Sequence, residues 1–92
     1  MKSERNLTLK YEIRLEKAAV KFIEKQSPKQ RKRLYEIISE LPNGKDIKSL
    51  KGYKNMYRLR LGGFRIIYTR QDDIFVVTVI NIDNRGDVYK HL

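Results

Sequence analysis

The stretch from Met56 to Arg70 leaves this chain little choice of fold. Tyr57, Leu59 and Leu61 alternate with Met56, Arg58 and Arg60, Gly62-Gly63 follows, and Phe64 to Arg70 opens a second extended run. Alternation has the two-residue period of a half-buried strand, and two adjacent glycines supply the backbone freedom that a two-residue turn needs. The spacing predicts an antiparallel hairpin. Gln71-Asp72-Asp73 makes the next turn, and Ile74 to Ile82 is apolar almost throughout, as expected of a central strand covered on both faces.

Upstream, Leu7, Leu9, Tyr11, Ile13 and Leu15 occupy every second position and predict a first strand. The period then changes. Leu15, Ala18, Ala19, Phe22 and Ile23 fall on one helical face, in a helix ending near Gln26. Ser27-Pro28 is an N-cap followed by proline at the first helical position, and Leu34, Ile37, Ile38 and Leu41 supply the next apolar stripe up to the stop at Pro42-Asn43-Gly44. Helices so closely joined pack antiparallel. Residues 45–55 read as a lysine-rich connection, Met1 to Asn6 as a flexible lead-in, and Asp83 to Leu92 as a tail with room for one helical turn. The predicted class is α+β: a single domain over residues 1–92, a two-layer sandwich in order β-α-α-β-β-β. The N-terminal strand and helical hairpin pack on one face of a mostly antiparallel twisted sheet.

Charge says what the other face does. The 92 residues carry 21 Lys and Arg against 11 Asp and Glu, a net +10, and self-repulsion of that size points to a polyanionic partner. Seven basic residues and one acidic residue lie between Lys45 and Arg65, so over half of the net charge sits in under a quarter of the chain. Arg58 and Arg60 project from the same strand face, and Arg65 joins them across the turn; phosphate is the natural complement, because guanidinium binds its oxygens bidentately. The competing reading is a solvated outer face of an antiparallel sheet. Lys29 to Arg33 read as a solvated helical face, since the apolar stripe begins at Leu34. His91, one residue from the last, is not expected to be a catalytic centre. With no cysteine and no clustered histidines, neither a disulfide framework nor a metal or nucleotide cofactor is expected. No apolar run approaches the ~20 residues of a membrane span, and Met1 to Lys10 lack a signal peptide's apolar core, so a cytoplasmic protein is expected.

Leu50-Lys51-Gly52, the run from Met56 to Tyr68, the apolar strand after it and Asn84-Arg85-Gly86-Asp87-Val88-Tyr89 together resemble the RelE toxins of toxin–antitoxin systems, within the RelE/ParE superfamily. The element order covers the whole chain; the specific motifs cover about residues 50–89. The resemblance implies a metal-independent endoribonuclease that cuts mRNA in the ribosomal A site, against 16S rRNA, by attack of a ribose 2′-OH on the adjacent phosphate. It assigns Arg65 to charge stabilisation at that phosphate, Arg85 to phosphate binding or protonation of the leaving oxygen, and Tyr89 to stacking on the nucleotide. Arg60 joins this catalytic set, with Arg58, Lys51 and Lys54 as substrate-binding residues. Arg58 and Arg60 stand where the best-known RelE enzymes have lysines, one of them cast as general base, and arginine does not give up its proton at neutral pH. The base is then Tyr89, a ribosomal group, or dispensable if charge stabilisation and in-line positioning suffice. The resemblance also implies a RelB-like antitoxin partner and a monomer that forms a hetero-oligomer with it. A ParE-like, non-nucleolytic gyrase inhibitor and an inactive RNA-binding member are the alternative readings.

Overall fold

The computed structural model describes residues 10–84. Strand β1 (Glu12–Leu15) leads into helices α1 (Lys17–Glu24) and α2 (Pro28–Ser39), followed by β2 (Ile47–Ser49), β3 (Met56–Leu61), β4 (Phe64–Gln71) and β5 (Val76–Asn84). One five-stranded sheet forms in the order β1-β5-β4-β3-β2, with β1 parallel to β5 and every other pair antiparallel. This is the expected α+β sandwich with one strand added.

Local chemistry sets the helix boundaries. Ser27 Oγ accepts from Gln30 N at 3.2 Å and Pro28 takes the first helical position, so α2 starts where the capping pattern requires. Ala19 and Ile23 of α1 and Leu34 and Ile38 of α2 are buried, the inner stripe of the helical layer. Ala18 is exposed, contrary to the apolar face read from spacing, because the shorter i, i+4 pair of Ala19 and Ile23 suffices to meet the sheet. Leu15 belongs to β1. Of the predicted first strand, Leu7 and Leu9 lie outside the described residues, while Glu12 and Arg14 are exposed and Tyr11, Ile13 and Leu15 half-buried, in the expected alternation.

The core is Leu59 from β3, Phe64, Ile66 and Tyr68 from β4, and Val77, Val79 and Ile82 from β5, packed under Ala19, Ile23, Leu34, Ile38 and Leu41. The rings of Phe22 and Phe64 meet edge-to-face at 5.9 Å, joining α1 to the hairpin. Strand β5 lies between β1 and β4, as expected, but its apolar run has a different cause from two-sided cover. The register slips between Ile67 and Tyr68, whose partners are Asn81 and Val79, leaving Ile80 as an extra residue. Such a bulge reverses the inward parity, so Val77, Val79 and Ile82 all reach the core although their spacing breaks alternation. Asn81 is exposed on the outer face; only Val76, buried outside the core cluster, fits the expectation of cover there.

The unpredicted strand is β2. Its three residues hold one half-buried side chain, Ile47, too little for a periodic signal, and it exists because the open edge of β3 offers backbone partners. Gly44, just before it, has no room for a side chain: a Cβ there would stand 2.6 Å from Leu59 Cδ1 and 3.0 Å from Ile47 Cδ1. Gly44→Ala should therefore push Leu59 out of its packed position and destabilise the chain by ~1–3 kcal/mol, read as a lower denaturation midpoint with an unchanged slope.

Tyr68 carries a cost inside this core. Its hydroxyl is buried without a hydrogen-bond partner among the described residues, its ring stacks on Tyr57 at 5.6 Å, and burial pushes its pKa up to about 12. An unfolded tyrosine ionises near ~10, so above that pH the unfolded chain sheds a proton that the folded chain retains. Stability contributed by the neutral phenol is complete below pH ~10 and is lost as pH rises towards 12. Tyr68→Phe should leave stability at pH 7 unchanged or higher, since it removes an unpaired polar group, and should flatten the alkaline decline. Urea midpoints between pH 7 and 11.5 would measure both.

Candidate functional site

Alternation along the hairpin puts Leu59 and Ile66 into the core and turns Arg58, Arg60 and Arg65 to the opposite, helix-free face. Gly62, at φ +58, takes the left-handed backbone that favours glycine and closes the turn with Leu61 opposite Phe64. That register makes Arg60 and Arg65 direct cross-strand partners. Two cross-strand rows result: Lys48, Arg58, Ile67 and Asn81, and beside them Arg60, Arg65 and Asp83. The two rows thus bring four cations, Lys48, Arg58, Arg60 and Arg65, together on one outer face.

Like charges directly opposite destabilise a sheet unless a counter-charge intervenes. The structure supplies one to Arg65. Its Nε donates to Asp83 Oδ1 at 3.2 Å and its Nη2 to Asp83 Oδ2 at 2.7 Å, a bidentate pair across β4 and β5. Arg58 has a looser partner, Asp46, with Nη2 3.9 Å from Oδ1 and only 12% of its own side chain exposed. Arg60 is exposed and has no ion-pair partner among the described residues. The face therefore holds an open guanidinium, an oriented one and a largely covered one.

The other sequence-predicted residues do not all gather here. Lys51 and Lys54 are exposed in the segment leading into Met56, at the far end of β3 from Arg60; Met56 itself stands roughly 14 Å from Arg60 at the rise of an antiparallel strand. Arg85 and Tyr89, like His91, lie outside the described residues. Asn84, the residue before Arg85, is the cross-strand partner of Phe64, so the described chain ends beside the Arg60 and Arg65 row. Asp83 was missed by sequence reasoning, which placed it at the start of a tail. A charged residue directly after an apolar run was the one available sign of its place.

A second polar cluster occupies the opposite end of the sheet. Arg70 Nε donates to Asp72 Oδ1 at 2.9 Å, Tyr11 Oη donates to the same oxygen at 2.8 Å, and the Arg70 guanidinium lies over the Tyr11 and Tyr57 rings at 5.9 and 5.5 Å. Hydrogen bonds from Arg70 and then Tyr11 hold the Asp72 carboxyl below its usual range, and the bond to Asp72 raises the Tyr11 phenol. A cavity of about 650 Å³ opens next to it, lined among others by Lys10, Leu41, Pro42 and Arg70. Its arginine is already committed to Asp72 and two rings, which leaves Lys10 as the cavity's one unpaired cation among the described lining residues, whereas several cations gather on the face around Arg60. Among the described residues, no group of three or more His, Cys, Asp or Glu could hold a metal ion, and no helix is long and apolar enough to cross a membrane.

Comparison with known proteins agrees with this architecture. Residues 12–89 match the family model described as the ParE toxin of the type II toxin–antitoxin system parDE. A relative from Methanocaldococcus jannaschii that bears the name toxin RelE1 is 32% identical over 89 residues, covering 90% of this chain and 99% of that protein. The toxin–antitoxin complex RelBE of Mycobacterium tuberculosis shares the fold at a TM-score of 0.75, with 21% identity over 87% of this chain and 97% of that one. The archaeal RelE–RelB complex of Pyrococcus horikoshii aligns at a TM-score of 0.69 and 26% identity, over 85% of this chain and 98% of that one. The fold thus has its counterparts among such toxins, and the chain belongs to the RelE/ParE superfamily of type II toxin–antitoxin toxins.

Proposed function

We propose that the protein is a RelE-type endoribonuclease that cleaves mRNA in the ribosomal A site without a metal ion. The observation that carries the reading is the cross-strand pair of Arg60 and Arg65 on the helix-free face, one guanidinium open and the other held by Asp83. In the reaction the 2′-oxygen of a ribose bonds to the adjacent phosphorus and the bond from phosphorus to the 5′-oxygen breaks. The 2′-OH loses its proton, the leaving 5′-oxygen gains one, and the products are a 2′,3′-cyclic phosphate and a 5′-OH. Negative charge peaks on the non-bridging oxygens in between. Donors aimed there act differentially on the transition state and are each worth ~10²–10³-fold.

Arg65 is the residue best placed for that work. Arg60 engages the same or the adjacent phosphate, and Arg58 adds positive potential from beneath. Lys51 and Lys54, a strand's length away, suit contacts to flanking RNA, including 16S rRNA. Arg85 follows the last described residue of β5 and is assigned to the leaving oxygen or its phosphate, and Tyr89 to stacking on the nucleotide. Tight placement of reactants by the ribosome supplies the in-line geometry, which lets a site rich in arginine work without a strong protein base. The single domain acts as a monomer in the cytoplasm, where ribosomes are. A RelB-like antitoxin is its partner, by likeness to the solved RelE–RelB complex.

Primer extension on a defined mRNA, with and without 70S ribosomes carrying an empty A site, tests this. Cuts inside the A-site codon only in the presence of ribosomes are expected. A folded protein that cuts in neither tube, but blocks DNA supercoiling by gyrase, would establish the ParE-like reading that the matching family description favours.

A further inference from the structure

We infer that Asp83 is a positioning residue for Arg65, which fixes the guanidinium so that a defined set of its donors faces a phosphate; the inference rests on the endonuclease reading for its catalytic consequence. The alternative role for a carboxylate among arginines is competition, in which Asp83 occupies the phosphate's place and must be displaced. The geometry separates the two. A guanidinium carries five N–H donors in one plane. Asp83 takes the edge formed by Nε and Nη2, at 3.2 and 2.7 Å, which leaves the end-on edge formed by Nη1 and the second Nη2 hydrogen. That remaining edge can itself bind phosphate oxygens bidentately. Three of the five donors thus stay available while the plane is held.

The holder sits on regular sheet and not on a loop. Arg65 and Asp83 are cross-strand partners on two interior strands, flanked by the core residues Phe64, Ile66 and Ile82. Neither depends on a loop for its place, and sites built on strands are more precise than sites on loops. The pair is also partly open to solvent, with 31% and 40% of the two side chains exposed, so its own contribution to stability is small while its effect on direction remains. Arg60 opposite has no such clamp among the described residues and is free to adapt. The charge balance follows as well: Asp83 offsets one of two facing guanidinium charges without covering the end-on donors.

The test uses the full chain labelled with ¹⁵N-arginine, as wild type, Asp83→Asn and Asp83→Glu, titrated with inorganic phosphate and then assayed on programmed ribosomes. If Asp83 positions Arg65, phosphate shifts the Arg65 Nη signals while Nε–H stays in place. Asp83→Asn, whose amide can present a donor to Nη2, frees rotation of the Arg65 guanidinium. Turnover at saturating ribosomes should then fall by ~10²-fold with little change in KM, as expected for lost alignment and not lost binding. Asp83→Glu, which keeps both acceptor oxygens, restores most of the turnover. Movement of Nε together with Nη on phosphate addition, with tighter phosphate binding and faster cleavage in Asp83→Asn, would establish competition and overturn the inference. An Asp83→Asn protein equal to wild type in every arm would also overturn it. Absence of cleavage by the wild type rejects the endonuclease reading alone, because the spectra still decide whether Asp83 holds Arg65 towards a phosphate.

Discussion

Replacing Arg65 with alanine is expected to cut A-site cleavage by ~10²–10³-fold, the loss of one well-aimed donor to a developing oxyanion. The chain should stay folded. Arg65 side-chain carbons leave no hole in the core, because they stand on the outer face while Ile66 points inward. Asp83 loses its partner but is 40% exposed, so water solvates it and the pair's removal costs ~0–1 kcal/mol. The loss should appear in turnover and much less in ribosome binding, since Arg58, Arg60, Lys48 and the loop lysines remain to hold RNA. Single-turnover cleavage of a stalled complex, beside a circular-dichroism melt, measures both. Cleavage at the wild-type rate by a folded Arg65→Ala protein would remove this residue from the chemistry.

A stability effect of similar weight is expected at the neighbouring position. Ile66 is fully buried, and its cross-strand partners Leu59 and Ile82 are buried too, so Ile66→Ala deletes atoms from the middle of three strands. The backbone hydrogen bonds on both sides keep those strands from closing the gap. Truncations of this kind cost ~2–5 kcal/mol, a large fraction of the ~5–15 kcal/mol that holds a domain together. For a domain of this size the melting midpoint should fall by ~8–40 °C, on the scale of ~4–8 °C per kcal/mol. Differential scanning calorimetry would show it. Arg65→Ala and Ile66→Ala thus make a matched pair: adjacent residues on one strand, opposite faces, and opposite readouts of activity and stability.

The hairpin, both helices and the class of fold were legible because each rests on local signals. Gly62-Gly63, Ser27-Pro28 and the alternation of Tyr57, Leu59 and Leu61 act within a few residues, where backbone conformation and side-chain period are set. The basic outer face was legible for the same reason: Arg58 and Arg60 are two apart, and a tight turn brings Arg65 opposite Arg60 in the predicted way. What could not be read were features created by a partner distant in sequence. Strand β2 has too few inward residues to declare itself and forms only against the edge of β3. The bulge at Ile80 is a matter of register between β4 and β5, so an apolar run looked two-sided when it was a change of parity.

Asp83 marks the boundary between the two kinds of information. Eighteen residues separate it from Arg65, and nothing in its neighbourhood along the chain says that it will face an arginine. The same pairing that seats Ile82 against Ile66 sets Asp83 opposite Arg65. Composition and period sufficed for the fold, the charged face and the chemistry a phosphate would meet there, because these depend on residue type and short spacing. Which carboxylate orients which guanidinium depends on strand register, and register is fixed only when the core of Leu59, Ile66, Val79 and Ile82 closes.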